Sequence, residues 1–206
     1  MATYSAIAHN FTPPSATTSA QVGAGAMTLI KTLTASSSGT ISFQDGSSDV
    51  VMDNTYKTYL FKYIDVHSAN DFVNLSFQGN VAGGSGFNET IQSATFEANL
   101  SESDSHQFQY SAGVDQQSGT GFQPVVQGVG NGNDESCSGY LCLFDPSNTT
   151  FVKHFIARTS GYYHGDGNSD SYAAGYFNTT SAIDEIQFKM SSGNIDSGTI
   201  KLYGIS

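Results

Sequence analysis

From Met27 onward, apolar and polar residues alternate in short runs, each closed by Gly, Ser, Asn or Asp. That two-residue period is the signature of half-buried strands separated by turns. Met27 to Thr34 and Thr40 to Phe43 are the first two strand candidates. Thr55 to His67 predicts a longer one, with Tyr59, Phe61 and Tyr63 on one face and Leu60, Ile64 and Val66 among the rest. Phe72 to Gln78 sets Val73, Leu75 and Phe77 against Asn74 and Ser76. Ile91 to Leu100 and His106 to Ala112 follow, the second placing Phe108 and Tyr110 together.

Two glycine-rich stretches, 79–87 and 113–133, read as loops, the second interrupted only by Pro124-Val-Val126. Beyond them, Tyr140 to Phe144, Phe151 to Arg158, Asp170 to Asn178, Ile183 to Met190 and Thr199 to Ile205 complete about ten to twelve strands. No helical period intervenes. The expectation is an all-β fold: one β-sandwich domain over residues 27–206, with a jelly roll favoured.

Residues 1–26 break the pattern. They carry no formal charge, contain the Pro13-Pro14 pair, and scatter Tyr4, Ile7, Phe11 and Val22 through a Ser/Thr/Ala background. Disordered tails stay solvated through charge, which this segment lacks. Adjacent prolines favour an extended path and cannot donate ladder hydrogen bonds. The segment is expected to be an extended N-terminal arm lying along a partner; folding back as an edge strand is the alternative.

Composition supports the strand reading: charged residues are only 12% of the 206, whereas glycines number 22 and aromatics make up 12%. The net charge of −11 excludes one class of partner. No Lys or Arg lies between Lys62 and Lys153, and Arg158 is the sole arginine. Phosphate backbones are bound mainly through Lys and Arg, so nucleic acid is not an expected partner. An anionic membrane surface is disfavoured for the same reason, and no apolar run approaches the roughly 20 residues of a membrane span. Met1 to Ala26 lacks the basic and apolar regions of a signal peptide, so synthesis in the cytosol is expected.

Catalytic motifs are not found: there is no GxSxG, HExxH or phosphate loop. His9, His67, His106, His154 and His164 are scattered without ligand spacing. No catalytic residue, cofactor or enzyme activity is expected. Cys137 and Cys142 match neither a metal knuckle nor a redox pair, and free thiols are favoured over a local disulfide. Asp166, Asn168 and Asp170 alternate as in the start of a calcium loop. Ser171 then stands where such a loop needs Gly, and Phe177 where it needs Glu, so a polar turn is favoured over a metal site. Tyr162, Tyr163, Tyr172 and Tyr176 cluster near this segment and are candidates for stacking on sugar rings.

The segment 183–205, IDEIQFKMSSGNIDSGTIKLYGI, resembles the C-terminal ending of structural proteins of tailed bacteriophages, many of them marine. Their pattern is an IxxIxF strand followed by SSGNIxSGTIxLYGI, here read as a β-hairpin turning at Gly193-Asn194. The resemblance covers a little over a tenth of the chain. It implies a non-enzymatic β-sandwich localised to the virion. The expected role is capsid decoration on the major capsid protein; the alternative is a receptor- or carbohydrate-binding module of a tail fibre or baseplate. Other virion proteins are then the partners, and a homo-oligomer, with a trimer favoured, is expected from the symmetry of such lattices. On this reading the arm anchors the acidic domain outward.

Overall fold

The computed structural model of the chain describes residues 27–206. The predicted arm, with Tyr4, Ile7, Phe11, Pro13, Pro14 and Val22, lies outside the described residues. Every regular element within them is a strand: β1 (Met27–Thr34), β2 (Ile41–Gln44), β3 (Thr58–Ser68), β4 (Val73–Val81), β5 (Ile91–Ser101), β6 (His106–Tyr110), β7 (Gln117–Gly119), β8 (Gln123–Val129), β9 (Cys137–Phe144), β10 (Lys153–Tyr163), β11 (Gly167–Phe177), β12 (Ile183–Met190) and β13 (Ile195–Ile205). The fold is all-β.

The strands form one nearly closed antiparallel ladder that folds over on itself. The larger flank runs β1-β13-β3-β9-β10-β11-β5, with β6 and β7 along the far side of β5. The smaller flank runs β8-β4-β12-β2. A single pair, Tyr163 with Val129, carries the ladder round the corner between them. Elsewhere the flanks meet through side chains. Phe77 of β4 packs edge-on against Phe155 of β10 (centroids 5.0 Å apart) and Phe177 of β11 (6.1 Å). Phe188 of β12 meets Phe61 and Tyr63 of β3 at 5.6 and 6.2 Å. Each of these rings is essentially fully buried, and each contributes on the order of 1.5–3 kcal/mol by leaving water.

The structure corrects the sequence reading in three places. First, the segment 113–133 is not one loop. It contains β7 and β8, the latter paired with β4 through Val126, Pro124 and Gln123. Its inward residues include Gln123, fully buried, which hid the alternation. That amide is satisfied by the carbonyls of Val114 and Pro124, to which it donates at 3.0 and 2.9 Å.

Second, Val66 belongs to the core face. A bulge with Asp65 at φ 50° shifts the phase of β3, so that Val66 follows Tyr59, Phe61 and Tyr63 inward. Gly198, at φ 117°, lies opposite this bulge, where a Cβ would come within 2.7 Å of the Asp65 carbonyl oxygen.

Third, β12 and β13 are not a hairpin. β12 pairs with β4 and β2, whereas β13 pairs with β3 and β1. Gly193 does take the left-handed conformation, at φ 72°, but the turn carries the chain from one flank to the other. Ile186 and Phe188 therefore enter the core from one flank and Ile200 and Leu202 from the other.

Candidate functional site

The connections β1–β2, β3–β4, β5–β6, β8–β9, β10–β11 and β12–β13 gather at one end of the molecule, because these successive strands enter the antiparallel ladder in opposite directions. This end bears Asp65 and Asp71, Glu102 and Asp104, Asp134 and Glu135, Asp166 and Asp196, and its connections contain no Lys or Arg. The opposite end mixes acids with cations: Lys57 bonds Asp145 at 3.0 Å. Lys153 is buried there, donating to the carbonyls of Phe151, Thr179 and Thr180. Met27, where the described chain begins, pairs with Ile205 at this second end. The acidic pole and the entry of residues 1–26 are thus at opposite ends.

Between them lies the solvent face of the larger flank. Reading the register across seven strands, Ala94, Ala174, Ile156, Cys142, Leu60, Tyr203 and Leu29 form one unbroken apolar row. The adjacent row is aromatic and cationic: Tyr110, Phe96, Tyr172, Arg158, Tyr140, Lys62 and Lys201. Leu29, Phe96, Tyr110, Tyr140 and Ile156 are all exposed, from 39% to 57%. Contiguous exposed apolar surface of this kind is uncommon on monomeric soluble proteins.

Towards the β5 edge of this face Phe96 stacks on Tyr172, with centroids 4.7 Å apart and planes 8° from parallel. The Arg158 guanidinium lies over the Tyr172 ring, 4.8 Å from its centroid. It also grips Asp170 with two hydrogen bonds, at 3.1 and 2.8 Å. Those bonds hold the Asp170 carboxyl below its ordinary range and raise the guanidinium above its own.

This geometry places Asn168 and Asp170 on a strand and Asp166 in the turn before it, not in a cage. Asp170 is occupied by Arg158, and Asn168 accepts from Ser160 at 2.9 Å. Asp166 sits in the hairpin turn at φ 58°, near the Tyr162 hydroxyl.

The four candidate tyrosines are separated. Tyr162 lines an outward groove of about 520 Å³ with Glu102, Asp134, Ser138, Ser160 and Asn168. Partial desolvation, then the nearby carboxylates of Glu102 and Asp166, push its phenol up to about 12. Tyr163 faces the other way, edge-on to Phe72 at 6.2 Å. Tyr172 is part of the aromatic row. Tyr176 is at the far end of the same face, 5.7 Å from His154.

Cys137 and Cys142 lie on the same strand, the first inward and the second outward, and both are free. Five residues of extended strand separate their Cα atoms by roughly 16 Å, beyond the reach of a disulfide. Burial drives the Cys137 thiol up to about 12 and raises that of Cys142, so neither is a poised nucleophile.

Two features escaped the sequence reading. One is the continuous outer row, which needs the pairing order before it exists. The other is a polar lining between the flanks, carried by Glu97, Asn99 and Gln127. The only sequence signal for the latter is that the inward positions of β5 turn from Ile91 to Ser93, Thr95 and Glu97. No family model matches the chain, and no curated protein sequence or solved structure is significantly similar to it.

Proposed function

We propose that this chain is a non-enzymatic structural protein of a virus particle, decorating the capsid surface. The observation that carries the reading is the opposition of its ends. The chain leading from the uncharged residues 1–26 enters at the end remote from the acidic pole. A protein anchored through that segment would direct its acidic connections outward, where like charge keeps particles apart in suspension.

The strand order supports a two-layer jelly-roll sandwich. From β2 the chain passes repeatedly between the flanks: β2 small, β3 large, β4 small, β5 to β7 large, β8 small, β9 to β11 large, β12 small, β13 large. This wrap fits a jelly roll in which one strand has become the β9–β11 meander, an architecture used by viral capsid domains. The resemblance of residues 183–205 to tailed-bacteriophage structural proteins points the same way. The partner is then the major capsid protein. The test is to add the purified full chain, and the chain lacking residues 1–24, to particles that lack this protein. Imaging should show the full chain on the capsid in hundreds of copies and none of the truncated, still folded one. Full binding by the truncated chain, or binding only at the tail, overturns the reading.

A second copy of the chain is the occupant of the large outer face. Eight strands about 4.8 Å apart and four residue rows give a face on the order of 700 Å², close to the roughly 800 Å² per partner of a standard interface. Lys62, Lys201 and Arg158 outnumber Asp170 there, in a chain of net charge −11. Such a face favours the acidic part of a neighbour over its own equivalent. The contact is therefore head-to-tail; where the rotation closes, such contacts form rings, of which a trimer is the smallest. Ile156→Glu, on an exposed position, should leave the fold intact and shift the sedimenting species from oligomer to monomer. A wild-type chain that sediments as a monomer at high concentration, or an unchanged oligomer in the variant, counts against this interface.

A further inference from the structure

Towards the acidic pole the interior between the flanks changes character. The inward residues of β5 pass from Ile91 to Ser93, Thr95, Glu97 and Asn99. The first polar layer is self-contained: Ser93 donates to Gln123 Oε1 at 2.6 Å, and the Gln123 amide donates onward to backbone. The next layer is not. Thr95 Oγ1, Asn99 Oδ1 and Ser111 Oγ are buried and have no hydrogen-bond partner.

Beside them Glu97 is only 3% exposed. Its carboxylate accepts from the Gln127 amide, and from Asn99 Nδ2 at the limiting distance of 3.5 Å. No Lys, Arg or His pairs with it among the described residues. A carboxylate offers about four acceptor sites, and burying one without a cation or a full set of donors is costly. Glu97 faces a cavity of about 330 Å³ that it shares with Asn99, Gln107, Gln109, Gln127 and Tyr163.

We infer that this inter-flank cavity is a binding site for a neutral polyhydroxylated ring, a single residue of a glycan. The chemistry of the lining selects the class. A hard cation requires six to eight oxygens, several of them charged, and one carboxylate among amides does not supply them. An ammonium group donates only: it would serve Glu97 and Asn99 Oδ1 but leave the Gln109 amide N–H groups and the Tyr163 hydroxyl without acceptors. Adjacent sugar hydroxyls both donate and accept, so a pair of them can donate to Glu97 while accepting from neighbouring amides. The volume lies at the lower end of the range for small-ligand pockets. The Tyr163 ring supplies an apolar wall for the C–H face of a sugar. The surrounding Glu102, Asp104 and Asp166 would repel uronic and sialic acids, so the preferred ring is uncharged. This site is independent of whatever the outer face and the N-terminal segment bind.

The inference is tested by titrating the isotope-labelled full chain with glucose, galactose, mannose and N-acetylglucosamine, then with glucuronate, lysine and calcium chloride, while following the side-chain amide signals. At least one neutral sugar should move the signals of Asn99, Gln109 and Gln127. Glu97→Gln, nearly isosteric, should weaken that sugar about tenfold, the usual scale for losing one charge-assisted hydrogen bond. Gln109→Ala, at a half-buried position, should weaken it too and guards against a folding defect in the first variant. Tyr162→Ala, in the outward groove, should leave affinity unchanged. The inference is overturned if no neutral sugar binds at millimolar concentration, or if binding survives both cavity variants. It also fails if calcium or lysine moves these signals and sugars do not.

Discussion

Phe77→Ala is expected to lower the free energy of unfolding by about 3–5 kcal/mol, the cost of emptying a fully buried aromatic site. Phe77 is the ring on which the two flanks meet. It touches Phe155 and Phe177 of the larger flank and, at 6.4 Å, Phe188 beside it. Edge-to-face pairs of this kind add about 0.5–1.5 kcal/mol beyond the area buried, so collapse around the cavity would not recover the loss. Domains of this size are stable by only about 5–15 kcal/mol, so the variant should melt some 6–20 °C lower. Phe108, 74% exposed on the outer face, is the control, and Phe108→Ala should change the melt by no more than about 0.5 kcal/mol. Equal losses from the two variants would mean that the interior is not packed as described.

The second large effect is on the alkaline side. Burial raises the Tyr59 phenol to about 12, with the carboxylates of Asp53 and Asp45 adding to the shift. Tyr63 is raised further still, again mainly by burial; it shares a 2.5 Å hydrogen bond with Thr159 Oγ1 and donates to the Tyr140 carbonyl. An unfolded tyrosine loses its proton near pH 10, whereas the folded chain keeps both protons well above that. In this window the folded state binds more protons, so stability falls as pH rises. The contribution is intact below pH 10, and that of Tyr59 is gone once pH passes about 12.

Lys153 acts in the opposite sense at lower pH. Desolvation depresses its ammonium pKa, the unfolded chain holds the proton longer, and stability rises with pH up to the ordinary value of 10.5. Urea midpoints should therefore hold or rise slightly towards pH 10 and then drop steeply by pH 11, with tyrosinate absorbance appearing partly in step with unfolding. Tyr59→Phe should flatten the drop. A midpoint unchanged between pH 9 and 11 would contradict the burial of these two phenols.

The sequence by itself determined where the strands lie. Alternation is local: Tyr59, Phe61 and Tyr63 must share a face because successive residues of an extended chain point to opposite sides. The same rule recovered β1 and β12 residue for residue, and composition alone excluded a helical fold. It failed where the period was interrupted from outside the segment. The bulge at Asp65 accommodates Gly198, 133 positions further on, and no local pattern encodes that. Gln123 looks like a surface residue until β4, β5 and the 114 carbonyl close around it.

Tertiary structure alone decided which strands are neighbours. It sent the SSGN turn across the core instead of back along one sheet, pairing β12 with β4 and β13 with β3, an arrangement in which Phe188 and Leu202 are both fully buried. The candidate sites followed the same division. Tyr162 and Tyr163, adjacent in sequence, were legible as a pair of aromatics, yet the pleat sends one into an outward groove and the other towards the interior. The apolar row from Leu29 to Ala94 and the cavity around Glu97 draw on strands far apart in the chain. Each residue in them is unremarkable alone, and only the pairing order, set by the burial of the whole core, brings them together.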